Sequence, residues 1–95
     1  MPAFAIAQLN IHDRLAYNKY GAAVDETLIL HGGKILSVEE SPNVLEGAWN
    51  YTRTVLLEFP SSKHATDWYE SAQYQAIAGQ RMAAAMTNLV ILRGR

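Results

Sequence analysis

No cysteine occurs in this chain of 95 residues, which removes disulfides, thiolate nucleophiles and cysteine metal ligands together. Basic residues are few: eight Lys and Arg stand against nine Asp and Glu, for a net charge of -1. They are scattered from Arg14 to Arg95, and phosphate recognition needs a clustered basic excess, so a nucleic-acid partner is not expected. No apolar run approaches the roughly 20 residues a membrane helix needs. The opening stretch, Met1 to Gln8, lacks a basic n-region and meets polar Gln8 and Asn10 too early for a secretory h-region. A cytoplasmic, soluble protein is the expectation. Also missing are a glycine-rich phosphate loop, a Gly-x-Ser-x-Gly elbow around Ser61 or Ser71, and any His-x-His or His-x-x-x-His spacing. The three histidines are too dispersed to form a metal site, and neither metal nor cofactor is expected.

What the chain does have is apolar content of 49% with 18% charged residues, the balance of one globular domain spanning 1–95. A domain this small buries a limited share of its surface, so self-association would help it.

The period of the apolar residues changes along the chain. From Ala3 to Ile11 one alternating set is Phe4, Ile6, Gln8 and Asn10 and the other Ala3, Ala5, Ala7, Leu9 and Ile11, a strand with apolar groups on both faces. Asp13 sits where a helix N-cap would. Tyr17, Tyr20, Val24, Leu28 and His31 then follow at spacings of three or four, one stripe of a helix. Gly32 and Gly33 stop it, because glycine tolerates the left-handed conformation at a helix end. Lys34 to Glu40 is a weaker strand, with Ile35 facing one way and Leu36 and Val38 the other, and Ser41-Pro42-Asn43 marks a turn. A third strand covers Tyr51 to Phe59 and ends at Pro60. Ser61 or Ser62 caps a second helix with Ala65, Trp68, Tyr69 and Ala72 on one stripe; Tyr74, Ile77, Ala78 and Arg81 continue in a shifted phase, which implies a kink or a separate helix. Leu89 to Leu92 is the last strand.

The resulting order, β-α-β-β-α-β, is that of a ferredoxin-like α+β fold, a four-stranded antiparallel sheet with the helices on one face. Strands one, three and four carry apolar residues on both faces, and the helices can cover only one. A homodimer joined sheet to sheet follows, burying on the order of 1,200–2,000 Å² in total.

Several local motifs extend over nearly the whole chain: Tyr17-x-x-Tyr20, His31-Gly32-Gly33, Glu46-Gly47-x-Trp49, Glu58-Phe59-Pro60-Ser61, Ala65-x-x-Trp68-Tyr69-x-Ser71-x-x-Tyr74-Gln75 and Leu89-Val90-x-Leu92-x-Gly94. Jointly they resemble the bacterial domain-of-unknown-function family thirteen-thirty. Ala72 departs from it, since that family often has proline after the serine. The resemblance implies the dimeric α+β barrel, whose similar members include cofactor-independent monooxygenases, muconolactone isomerase-like enzymes and haem-handling proteins; it implies no single activity.

Candidate site residues come from residue chemistry. His31 has the near-neutral titration that proton transfer requires, although a histidine at a helix C-terminus is equally explained by capping. Arg53 and Glu58, both catalytic candidates, lie on opposite faces of the third strand and need separate partners; the cost of burying Glu58 unpaired implies either a raised pKa in a pocket or a salt bridge to Arg53 of a second copy or to Arg81. Glu46 is a further carboxylate candidate, with turn formation as its structural alternative. Trp68 reads as core, whereas Tyr20, Trp49, Tyr69, Tyr74 and Arg81 are candidates for contact with a ligand. Two functions stand: a cavity binding a small, partly apolar molecule, with or without cofactor-independent acid-base or oxygenation chemistry, and a non-catalytic dimerisation module. Haem or metal binding through His31 is a third, weaker reading.

Overall fold

A computed structural model describes residues 1–95. The chain runs β1 (Ala3–Ile11), α1 (Arg14–Ile29), β2 (Lys34–Glu39), β3 (Arg53–Phe59), α2 (Ser62–Glu70), α3 (Ala72–Ala84) and β4 (Ala85–Arg93). The strands form one antiparallel sheet in the order β2-β3-β1-β4. This is the ferredoxin-like α+β arrangement, with the second helix divided in two.

Alternation along β1 decides which face meets the helices. Ala3, Ala5 and Leu9 are buried beneath them, in register with Phe59, Leu57 and Arg53 of β3. The alanines give up volume, and the aromatic groups take it: Trp68 packs against Phe59 at 5.4 Å between ring centroids and against Tyr74 at 4.2 Å. Small residues facing large ones let the layers interdigitate without voids. The indole N–H of Trp68 donates to the Thr27 hydroxyl at 3.0 Å, which donates to the carbonyl of Val24 at 2.6 Å. The polar edge of the indole is thus satisfied.

Helix boundaries follow from their caps. Asp13 accepts from the amide of Ala16 at 3.1 Å and opens α1. Gly32, at φ 71, and Gly33 close it: Gly33 N–H donates to Leu28 at 2.9 Å and Gly32 N–H to Ile29 at 3.3 Å, the Schellman arrangement. Ser61 caps α2 by accepting from the amide of His64. Ser71, in extended conformation, ends α2 by donating to the Trp68 carbonyl at 2.7 Å and begins α3 by accepting from the Tyr74 amide at 3.1 Å. One serine therefore produces the phase shift seen in the sequence.

Two expectations need correction. Val38 does not face away from Ile35: the β2–β3 register shifts between Ile35 and Ser37, so a bulge at Leu36 returns Val38 to the helix side. Second, β4 is longer than Leu89–Leu92, because it starts at Ala85 directly where α3 ends and pairs with β1 from Ile11 to Ala3.

The face away from the helices carries Phe4, Ile6, Leu56, Val90 and Leu92 side by side in the register, and Val90 and Leu92 are about half exposed. No helix is long and apolar enough to cross a membrane.

Candidate functional site

Between α1 and the helix-side face of the sheet lies a cavity of about 240 Å³. The inner stripe of α1, Tyr17, Tyr20, Gly21, Val24 and Leu28, forms one wall, at the spacing that keeps residues on one helical face. Ile35 and Val38 of β2 and Val55 and Leu57 of β3 form another, with Trp68, Tyr74 and Arg81 at the far end. The β2 bulge contributes directly, since without it Val38 would point to the other face. Gly21 leaves room: a β-carbon placed there meets nothing within 4 Å.

The walls are apolar and the polar groups converge at two places. At one, the hydroxyls of Tyr20 and Tyr74 bond each other at 2.9 Å, and Nε of Arg81 donates to the Tyr74 hydroxyl at 3.2 Å. The Arg81 guanidinium also lies 6.0 Å from the centre of the Tyr20 ring. Burial raises the Tyr20 hydroxyl's pKa well above the usual phenol range, and the neighbouring Tyr74 adds to this. Tyr20 is therefore a neutral group near pH 7. Burial disfavours the charge on Arg81, but Tyr74 and Tyr20 more than offset it and the guanidinium stays charged.

At the other place, Arg53 crosses 5.4 Å above the Tyr17 ring and donates to Glu40 at 3.1 Å, and Arg14 donates to the same carboxylate oxygen at 2.9 Å. The hydrogen bond from Arg14, followed by that from Arg53, holds the Glu40 carboxyl below its usual range. This triad ties the start of α1 and the start of β3 to the end of β2. Burial raises the pKa of Tyr17, and the Arg53 guanidinium opposes the shift.

The structure brings together four of the residues singled out in the sequence: Tyr20, Tyr74, Arg81 and Arg53 all line the cavity. The others lie elsewhere. His31 is in the turn that closes α1, its amide bonded to Leu28, outside the cavity lining. Glu58 is on the open sheet face and pairs with Lys34 at 3.3 Å, its direct cross-strand neighbour, rather than with Arg53 of a second copy or with Arg81. Glu46 is exposed in the segment between β2 and β3. Trp49 also belongs to that segment; its indole donates to Thr54, an open-face residue, at 2.9 Å. Tyr69 packs on Tyr74 but does not line the cavity; it borders a neighbouring pocket with Leu89 and Ile91. Tyr17, Gly21 and Glu40 were not singled out. The first two share the helical stripe of Tyr20, which is a signal the sequence does carry; Glu40 does not.

No three of the histidine, aspartate and glutamate side chains gather closely enough to hold a metal ion.

Residues 2–95 match the family described as Domain of unknown function (DUF1330). No curated protein matches the chain. Among solved structures, a protein of unknown function from Rhodopseudomonas palustris superposes with a TM-score of 0.82 at 18% identity, covering 99% of this chain and 82% of that one. SnoaB, a cofactor-independent oxygenase from Streptomyces nogalater, gives 0.73 at 6% identity, covering 99% and 93%. A dimeric ferredoxin-like protein of unknown function from Jannaschia sp. CCS1 gives 0.70 at 14% identity, covering 99% and 100%. At these identities the likeness is one of fold.

Proposed function

The chain belongs to the DUF1330 family, and from the geometry of its cavity we propose that each protomer binds one small, partly apolar molecule between α1 and the sheet. The observation that carries this reading is an apolar cavity of about 240 Å³ with the Tyr20, Tyr74 and Arg81 polar groups at one end. Ligand sites have this composition: hydrophobic walls and a few convergent polar groups. For scale, a cavity of about 150 Å³ accepts benzene, so a single substituted ring is the right size. A dimerisation module with no ligand needs no such space.

Gly21 supplies the test. Leucine at this position grows into open space from a helical backbone, so Gly21→Leu blocks the cavity without a clash at its first carbon. In a fragment screen followed by amide shifts in NMR, ring-sized compounds are expected to move the resonances of Tyr20, Val24 and Val38 in the wild type and not in Gly21→Leu. Equal shifts in both proteins would place binding elsewhere and sink the reading.

A second reading, turnover at this site without a cofactor, is favoured by the paired phenols beside a cation. In it Tyr20 and Tyr74, rather than His31, move the proton, because they line the cavity. The likeness to a cofactor-independent oxygenase supports it at the level of fold. Chemical conversion of compounds that bind, followed by NMR together with oxygen uptake and compared between wild type and Tyr74→Phe, tests it; no conversion of any of them removes it.

The open face of the sheet is the proposed contact between two copies. Only 16 of 95 residues are buried in the single protomer, so a substantial apolar face is left for a partner. The protomer is a slab of about 32 × 31 × 16 Å, broad enough for the roughly 800 Å² per partner of a standard interface. The dimeric protein of the same fold from Jannaschia supports self-association.

A further inference from the structure

Arg81 is 6% exposed and takes part in none of the chain's ion pairs, which join Arg14 and Arg53 to Glu40, Lys34 to Glu58 and Lys63 to Asp67. Its side chain makes one hydrogen bond, from Nε to Tyr74. A guanidinium carries five N–H groups, so the two terminal nitrogens have no protein acceptor. Nor are they sealed in, because the fully enclosed side-chain atoms without a partner are Arg53 Nε and Thr87 Oγ1. A charge in this position normally has a counter-charge.

Proton counting at the adjacent phenols points the same way. Tyr20 and Tyr74 share one hydrogen bond, which engages one of their two protons. The Tyr74 oxygen also accepts from Arg81. Whichever phenol donates in the mutual bond, the other retains an O–H with no acceptor. One phenolic donor and the Arg81 side chain therefore lie side by side in the lining of an apolar cavity. Arg53 also lines that cavity, but one of its terminal nitrogens is engaged by the Glu40 carboxylate, which it shares with Arg14. Asp25 lines the cavity too and is exposed, and no ion pair joins it to Arg81.

Resting on the cavity-binding reading above, we propose that the ligand is an organic anion, a carboxylate on a single ring-sized apolar body, whose oxygens accept from Arg81 and from the remaining hydroxyl of the Tyr20–Tyr74 pair. The apolar body lies toward Val24, Ile35, Val38 and Val55.

Benzoate and its neutral isostere benzamide serve as probes, titrated by NMR or calorimetry against the full chain. Benzoate is expected to bind roughly tenfold or more tightly than benzamide, as a charge-assisted pair requires. Arg81→Met should abolish that difference while benzamide binding stays within about threefold. Arg81→Lys keeps the charge and should retain part of the preference, which separates loss of charge from loss of fold. Benzamide binding as tightly as benzoate in the wild type, or a preference that survives in Arg81→Met, overturns the anion inference and leaves cavity binding standing. Failure of both probes to move any cavity resonance overturns cavity binding and this inference with it.

Discussion

Arg81 and Tyr74 stand two helical turns apart on α3, and Nε of the arginine donates to the phenol at 3.2 Å while the phenol meets Tyr20 from α1 at 2.9 Å. One hydroxyl, on a buried side chain, thereby joins the two long helices at the base of the cavity. The contact sets both the stability of the α1–α3 pairing and the polarity of the site.

Tyr74→Phe leaves the Arg81 Nε and the Tyr20 hydroxyl each short of a partner in a buried place. A loss of about 1–3 kcal/mol is expected, measured by urea unfolding. Arg81→Met, by contrast, removes a charge that has no counter-ion, and should cost less, about 1 kcal/mol. If Arg81→Met proves the more damaging of the two, the arginine has a stabilising role inside the protein that its contacts do not reveal.

Gly21 and Gly79 sit within helices, with open space where a β-carbon would be. Gly21→Ala and Gly79→Ala should each raise stability by roughly 0.5–1 kcal/mol, from helix propensity alone. Gly33→Ala should do the reverse. Its β-carbon would lie 2.6 Å from Phe59 and 3.0 Å from Leu28, and overpacking of this kind costs about 1–3 kcal/mol. Thermal unfolding of the three variants side by side decides the matter, and a stabilised Gly33→Ala would contradict the packing described for the end of α1.

Acid should loosen the link between Glu40, Arg14 and Arg53. The folded-state pKa of Glu40 lies below its ordinary value of 4.5, so the unfolded chain takes up this proton more readily than the folded one. The contribution is fully present above about pH 4.5 and is lost as the pH falls through the lower folded value. Glu40→Gln should therefore lose less stability than the wild type on acidification. Parallel denaturation curves for the two at neutral and acid pH are the check; an identical pH dependence would mean the link contributes nothing. The carboxylate is exposed to solvent, so the effect should also shrink in high salt.

Val90→Lys places a charge on the open sheet face at a position half exposed in the single protomer. The protomer tolerates it, but a sheet-to-sheet dimer would have to bury the ammonium unpaired. Sedimentation at micromolar concentration is expected to show a dimer for the wild type and a monomer for the variant. A wild-type monomer, or a variant that remains dimeric, would rule out this face as the contact.

Most of the architecture could be read from local chemistry. Alternation gave β1 and β3 their two apolar faces, Asp13 and the glycine pair bounded α1, and the shift of phase foretold the break between α2 and α3. These features depend on a few neighbouring residues, so a linear text preserves them. The site was less legible. Tyr20, Tyr74, Arg53 and Arg81 were recognised from residue type, and Tyr17 and Gly21 share the same helical stripe without having been chosen. His31, Glu46, Glu58, Trp49 and Tyr69 have equally suitable chemistry and lie outside the cavity, because residue type says nothing of which side of a layer a group will occupy.

The sequence by itself determined a ferredoxin-like fold, its caps and its two-faced sheet, since hydrogen-bond geometry and apolar period act over short stretches of chain. Tertiary structure alone decided that a one-residue bulge at Leu36 turns Val38 into the cavity, that Glu58 answers Lys34, and that Glu40 pairs with both Arg14 and Arg53 while no carboxylate reaches Arg81. Those outcomes depend on distances between residues far apart in the chain. The charge left without a partner at Arg81 is thus a property of the fold, and it gives the cavity its chemical direction.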